Sequence, residues 1–151
     1  ADTPCMAHSE TEVIKAYEMF FDRLYKKAVE TAKRCNAVVF FNGHEKLEKG
    51  FYNTTFAIDR NGNLAGTYHK QHLTPGEISN YKLVSDYTYE HSIPQIIVID
   101  GIRYAFLTCY DFYFYEAFAN IARFNPEVII ACAYQRSDSH DALETMAKFC
   151  A

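Results

Sequence analysis

The chain predicts an α/β fold in which a mixed sheet is covered by helices. Three observations carry this. A long amphipathic segment at 9–35 has helical spacing, two strand–turn–strand units lie at 51–69 and 95–108, and short apolar runs alternate with helical stretches after residue 95. The 151 residues are enough for one domain with a real core, and no repeat, low-complexity tract or linker divides them, so residues 1–151 are read as a single domain.

Each element has its own signal. In 9–35, Ile14, Tyr17, Phe20, Phe21, Leu24, Ala28 and Ala32 recur on one face, and Ser9 with Glu12 has the spacing of a capping box. Residues 37–41 form a short apolar strand, with Asn42 and Gly43 read as the turn that ends it. Residues 51–59 have strand composition, 60–63 (Arg-Asn-Gly-Asn) signal a hairpin turn, and 64–69 return. A polar, Tyr-rich loop spans 70–92, long enough to suggest a functional role. The second hairpin is 95–100 and 103–108 about Gly101. A helix at 114–124, a break at Asn125-Pro126, a strand at 127–133 and a last helix from 141 complete the chain. The strands at 37–41, 96–99 and 128–133 are apolar enough to be covered on both faces.

Composition narrows the function classes. The net charge is −4 and no basic run occurs, which argues against a nucleic-acid partner. No apolar stretch approaches the roughly 20 residues that cross a bilayer, so no membrane association is expected. The cysteines at 5, 35, 109, 132 and 150 are odd in number and widely spaced, without Cys-x-x-Cys. Reduced thiols in a cytoplasmic setting, with no cofactor, are the simplest reading. His69 and His72 stand three apart with no acidic cluster beside them, so no metal site is assigned.

The chemistry-bearing residues lie at two places. Cys109 sits where the strand 103–108 runs toward a helix, a position that holds a side chain out of the backbone near helix N-terminal amides. Those amides favour a thiolate, or the oxyanion formed when a thiolate attacks a carbonyl, and the N–H of Tyr110 is the first available donor. Lys70 follows a strand end directly. Buried beside a thiolate, it would stabilise that charge, donate to an oxyanion and help protonate a departing amine, with Glu77 as the carboxylate that orients it. Phe112 flanks the nucleophile and is a candidate substrate contact.

The stretch Tyr68-His-Lys-Gln-His-Leu-Thr-Pro-Gly-Glu77 resembles the lysine motif of the nitrilase superfamily, the carbon–nitrogen hydrolases. Thr108-Cys-Tyr-Asp-Phe-Tyr-Phe-Tyr-Glu116 resembles its nucleophile motif. Tyr52-Asn-Thr54 with Ile58-Asp-Arg-Asn-Gly62, and Asn125-Pro-Glu-Val-Ile-Ile130, resemble the flanking stretches, in the expected order over 37–150. The resemblance implies a four-layer αββα sandwich with mixed sheets, here incomplete at both ends. It also implies a Glu–Lys–Cys triad that hydrolyses a non-peptide carbon–nitrogen bond (amide, N-carbamoyl amine or nitrile) through a thioester. By motif Cys109 is the nucleophile, Lys70 the triad lysine, Glu77 a further acidic residue, and the Tyr110 amide part of the oxyanion hole; Tyr134 and Gln135, after the strand at 127–133, fall near where the family lines its pocket and are the implied substrate contacts. The implied partners are a small amide-like substrate and further copies of the chain, in a homodimer or higher homo-oligomer built through helices that include the one after the nucleophile; the aromatic-rich segment from Phe112 to Phe118 suits such a contact.

Two departures from the pattern stand out. The family's general-base glutamate ends a strand ahead of the first helix, and no residue before Ser9 matches it, so that base is expected upstream of Ala1. Glu45 falls where the family places an unremarkable acid and is not taken as the substitute. In the nucleophile motif an Arg-Phe-Pro-Glu run is usual, whereas here Tyr113 and Tyr115 replace the arginine and proline and Phe114 and Glu116 match. Losing the arginine is expected to deprive Asp111 of a partner. Two other functions fit the same residues: a non-catalytic binding or oligomerisation protein in which Cys109 is vestigial, and a redox-responsive protein using Cys109 with Cys132.

Overall fold

A computed structural model describes residues 9–88, 95–133 and 140–150. Helix α1 (Glu10–Cys35) starts at Ser9, whose hydroxyl accepts from the amide of Glu12, and ends at Asn36 in the left-handed conformation. Strands β1 (Val39–Leu47), β2 (Gly50–Ile58) and β3 (Leu64–His69) follow as an antiparallel meander. A short helix α2 (Pro75–Ser79) interrupts the next connection. Strands β4 (Ile97–Ile99) and β5 (Ile102–Thr108) pair antiparallel, and a 3₁₀ turn (Cys109–Tyr113) leads into α3 (Tyr115–Ala122). Strand β6 (Val128–Cys132) then pairs parallel to β5, and α4 (His140–Cys150) follows.

The strands form two three-stranded sheets, β1–β2–β3 and β4–β5–β6. Period-two alternation sorts their side chains into layers. From the first sheet, Phe41, Phe56 and Ile58 meet Ala28 and Ala32 of α1, with Phe41 and Phe56 stacked at 4.8 Å. The opposite face sends Phe40, Ala57 and Tyr68 against Ile97, Ile99 and Phe106 of the second sheet. Beyond it, Ala105 and Leu107 meet Phe112, Ala117, Phe118 and Ile121. The order helix, sheet, sheet, helix is the αββα arrangement that the resemblance implies. Gly66 lets the sheets close up: a Cβ there would stand 2.8 Å from Ile97 Cδ1.

Several elements differ from the sequence reading. Asn42 and Gly43 are not a turn. They lie inside β1, paired with Thr55 and Thr54, and the reversal falls instead at Glu48 and Lys49, between the paired Leu47 and Gly50. Pairing along nine residues of β2 outweighs the local turn preference of Asn-Gly, and the Asn42 amide donates to Asn53 Oδ1 (2.9 Å) and Thr55 Oγ1 (3.2 Å). At the second hairpin the turn signal holds, since Asp100 and Gly101 both take positive φ, as a two-residue hairpin turn requires. Neither β4 nor β6 is covered on both faces. The eight-residue α3 packs on β5 and leaves Val98 60% and Ile129 42% exposed. The aromatic run after Cys109 is likewise divided: Phe112 and Phe118 are core, while Tyr113 and Tyr115 are exposed.

Phe56 is the hinge between α1 and the first sheet, touching Phe21, Tyr25 and Phe41. Truncating it removes a buried ring from a close-packed layer. Phe56→Ala is expected to cost about 3–5 kcal/mol, read as a lower urea midpoint at unchanged slope.

Candidate functional site

Lys70 is the first residue beyond β3. Its N–H donates to the carbonyl of Asn53 (2.8 Å), prolonging the β2–β3 pairing by one step and fixing the side chain at the sandwich edge. The ammonium donates to Glu77 Oε2 at 2.6 Å, and the two residues are only 2% and 8% exposed. Glu77 takes two further bonds, from the Thr74 amide to Oε2 (2.7 Å) and from Asn53 Nδ2 to Oε1 (3.0 Å). Thr74 returns the favour by accepting from the Glu77 amide (3.2 Å), so Thr74 and Glu77 form a capping box at the start of α2, with Pro75 in its first turn. The chain of amides reaches from Asn42 through Asn53 to Glu77 and Lys70, tying the pair to two strands. Burial lowers the proton affinity of His44, which faces Asn53 in the β1–β2 register; the Glu77 charge partly offsets this.

Cys109 opens the 3₁₀ turn after β5 and adopts φ +50°, a left-handed conformation unusual for a residue with a side chain. It is half-buried. Two residues on, Asp111 is 0% exposed and accepts four hydrogen bonds. Oδ2 takes the Thr108 amide (2.9 Å) and the Tyr68 hydroxyl (2.7 Å), and Oδ1 takes the His72 amide (2.8 Å) and His72 Nδ1 (3.0 Å). Tyr68 also stacks on Phe106 across the sheets, with ring centroids 5.9 Å apart. The exit of β3, bearing Lys70, and the exit of β5, bearing Cys109, are therefore bound to one carboxylate at one end of the sandwich.

The arginine of the family pattern is absent here, as expected, and other groups take its place at Asp111. Without the arginine, His72 and Tyr68 from the other sheet satisfy it, and the His72 ring stacks on Phe114 at 3.8 Å. Burial, the Asp111 charge and the hydrogen bond to Asp111, in that order, push the Tyr68 hydroxyl well above the ordinary tyrosine range.

The other sequence candidates fall as follows. Tyr110 is half-buried in the 3₁₀ turn, its ring 5.2 Å from that of Phe114. Phe112 packs edge-on against Phe118 in the core beneath α3. Tyr134 and Gln135 lie outside the described residues. Glu45 meets His69 Nε2 at 3.0 Å rather than Lys70, and His72 has Asp111, so the two histidines serve different carboxylates. Among the described residues no group of three His, Cys, Asp or Glu is placed to hold a metal ion, and no helix is long and apolar enough to cross a membrane. Sequence reasoning missed Asn53, Tyr68, His72 and the Thr74 cap. Only the cap carried a readable signal, the Thr-x-x-Glu spacing at 74–77.

Comparison with known proteins gives a consistent result. The carbon–nitrogen hydrolase family matches residues 6–151. No curated protein sequence matches at a significant level. Among solved structures, a carbon–nitrogen hydrolase from Helicobacter pylori G27 aligns with 18% identity and a TM-score of 0.67, over 90% of this chain and 47% of that one. A cysteine-to-alanine mutant of an amidase from Nesterenkonia AN1, of the nitrilase superfamily, aligns with 15% identity and a TM-score of 0.70, over 94% and 50%. Another structure of the Nesterenkonia amidase shows covalent addition of the acetamide moiety of fluoroacetamide at its active-site cysteine. The glutamine-dependent NAD+ synthetase of Acinetobacter baumannii aligns with 14% identity and a TM-score of 0.65, over 85% and 24%. The chain thus spans about half the length of the Helicobacter and Nesterenkonia structures and about a quarter of the synthetase.

Two outcomes test the site's architecture. Tyr68→Phe removes one charge-assisted bond and is expected to cost about 1.5–3 kcal/mol near neutral pH. Because the folded hydroxyl binds its proton more tightly than the unfolded one, its stabilisation is complete below the unfolded value of about 10 and is lost as pH rises beyond it. Thermal melts from pH 8 to 11 should therefore show a smaller alkaline decline in Tyr68→Phe than in the parent. Separately, Lys70→Met strands the buried Glu77 carboxylate and is expected to destabilise by about 3–5 kcal/mol, whereas Lys70→Met with Glu77→Leu restores much of the loss in the same urea titration.

Proposed function

This chain belongs to the carbon–nitrogen hydrolase family, and on that premise we propose that it forms the nucleophile-bearing half of an enzyme that cleaves a small amide-like substrate by acyl transfer. The observation that carries the reading is the shared anchoring of two turns. One bears a buried lysine already paired with a carboxylate, the other a cysteine at positive φ, and Asp111 holds both.

In the proposed mechanism the Cys109 thiolate attacks the substrate carbonyl carbon. The oxyanion is stabilised by the Lys70 ammonium and the Tyr110 amide. Ammonia or an amine departs with a proton, leaving a thioester that water then hydrolyses. Glu77 holds the Lys70 side chain in place through a 2.6 Å bond. Neither Glu77 nor Asp111 is assigned the role of general base, because the first already accepts three donors and the second four. That role is assigned to the glutamate that the family resemblance implies, outside residues 1–151, so the activity is that of the whole protein. Association of copies through the α3–α4 face is part of the same reading. Tyr115 and Phe149 stand exposed there, beside a groove of about 680 Å3 that Thr145 and Met146 also line.

Fluoroacetamide provides the test. Peptide mapping should place its acetamide adduct on Cys109 and leave the exposed Cys35 unmodified. In the whole protein, Cys109→Ser should lower amide turnover by at least about a thousand-fold. Turnover undiminished in that variant, or an adduct confined to Cys35, would exclude Cys109 as the nucleophile.

A further inference from the structure

We propose that Cys109 and Cys132 form a reversible disulfide in response to peroxide, closing the nucleophile against permanent oxidation; the inference rests on the assignment of Cys109 as the reactive thiol. The parallel β5–β6 ladder carries it. The ladder runs in unbroken register from Tyr104 and Val128 to Thr108 and Cys132, so Cys132 ends β6 directly opposite the residue that precedes Cys109. One strand spacing across and one residue along puts the two Cα atoms about 6 Å apart, inside the range a disulfide spans. In a continuous strand the residue after Thr108 would face the other side of the sheet from Cys132. Cys109 is not in a continuous strand. Its φ of +50° ends the alternation at that residue and turns the chain away from the strand axis. Both residues are half-buried thiols, accessible enough for a small oxidant.

The chemistry balances. The Cys109 thiolate attacks one peroxide oxygen, the O–O bond breaks, and hydroxide leaves to become water, giving a sulfenic acid. The Cys132 thiolate then attacks that sulfur, the S–O bond breaks, the S–S bond forms and a second water departs. Two thiols lose two electrons in total and hydrogen peroxide is reduced to two waters. A small dithiol reverses the bond by exchange. Cys35 cannot substitute for Cys132. It lies at the far end of the sandwich, next to Asn36, whose carbonyl accepts from Arg60; Arg60 in turn pairs with Asp100, in the hairpin turn where β5 begins.

The experiment treats the reduced chain with hydrogen peroxide, then digests it without reductant for mass spectrometry. The expected product is a peptide pair joined through Cys109 and Cys132, which disappears on treatment with dithiothreitol as fluoroacetamide labelling of Cys109 returns. In Cys132→Ser, Cys109 should instead be trapped as a dimedone adduct, with sulfinic acid accumulating about tenfold more than in the parent at equal peroxide. Sulfinic acid at Cys109 of the parent without cross-linked peptide, a cross-link to Cys35, or equal over-oxidation in parent and variant would each overturn the proposal. The readout is independent of turnover: a cross-link forming in a whole protein that hydrolyses no amide when fully reduced would defeat the hydrolase reading and leave the disulfide standing.

Discussion

A carboxylate removed completely from water is among the most expensive groups a fold can contain, and Asp111 is such a group. Its cost is offset only while four donors converge on it. Two of the four are backbone amides, from Thr108 and His72, and these belong to turns that leave different sheets. Neither turn can move without exposing the charge to unpaired burial, so the two are cooperative. The Tyr68 hydroxyl and the His72 ring complete the shell and carry the constraint into the inter-sheet layer, where Tyr68 stacks on Phe106. The left-handed backbone at Cys109 costs about 1–3 kcal/mol. It persists because the residues on both sides are pinned, one through the β5–β6 ladder and the other through the Asp111 side chain.

The Lys70 exit repeats the logic with a second carboxylate. Glu77 is held by a helix cap below and an asparagine amide beside it before it meets the ammonium. A buried ion pair of this kind contributes little net stability, since desolvation offsets most of the attraction. What it contributes is placement: a buried side chain held in one position next to the turn that bears the thiol. Both carboxylates are fully engaged in holding the two turns.

Much of this was legible before any coordinates. The helical period of 9–35 and the two hairpins appear as read, and Lys70 meets Glu77, whereas Cys109 opens a 3₁₀ turn ahead of α3 rather than the helix itself. The failures share a cause. Asn42-Gly43 is a turn by local preference and a strand by long-range pairing, and a single sequence shows only the first. The fate of Asp111 turned on residues 39 and 43 positions away, whose approach depends on how two sheets stack. The double cover assumed for β4 and β6 depended on the reach of α3, which stops at Ala122. Interactions set by three-dimensional register left no mark at fixed spacing, whereas the Thr74–Glu77 cap did.

His44 shows how the surrounding shell protects the arrangement. A protonated imidazole near Glu77 would compete with Lys70 for the same charge and weaken the hold on the ammonium. The attraction of Glu77 favours that protonation, but burial opposes it more strongly, so the proton affinity of the imidazole is lowered. The Glu77 carboxylate is thereby left to Lys70 and to the neutral donors of Asn53 and Thr74. The desolvation that makes the site expensive to build thus also disfavours a second cation at Glu77.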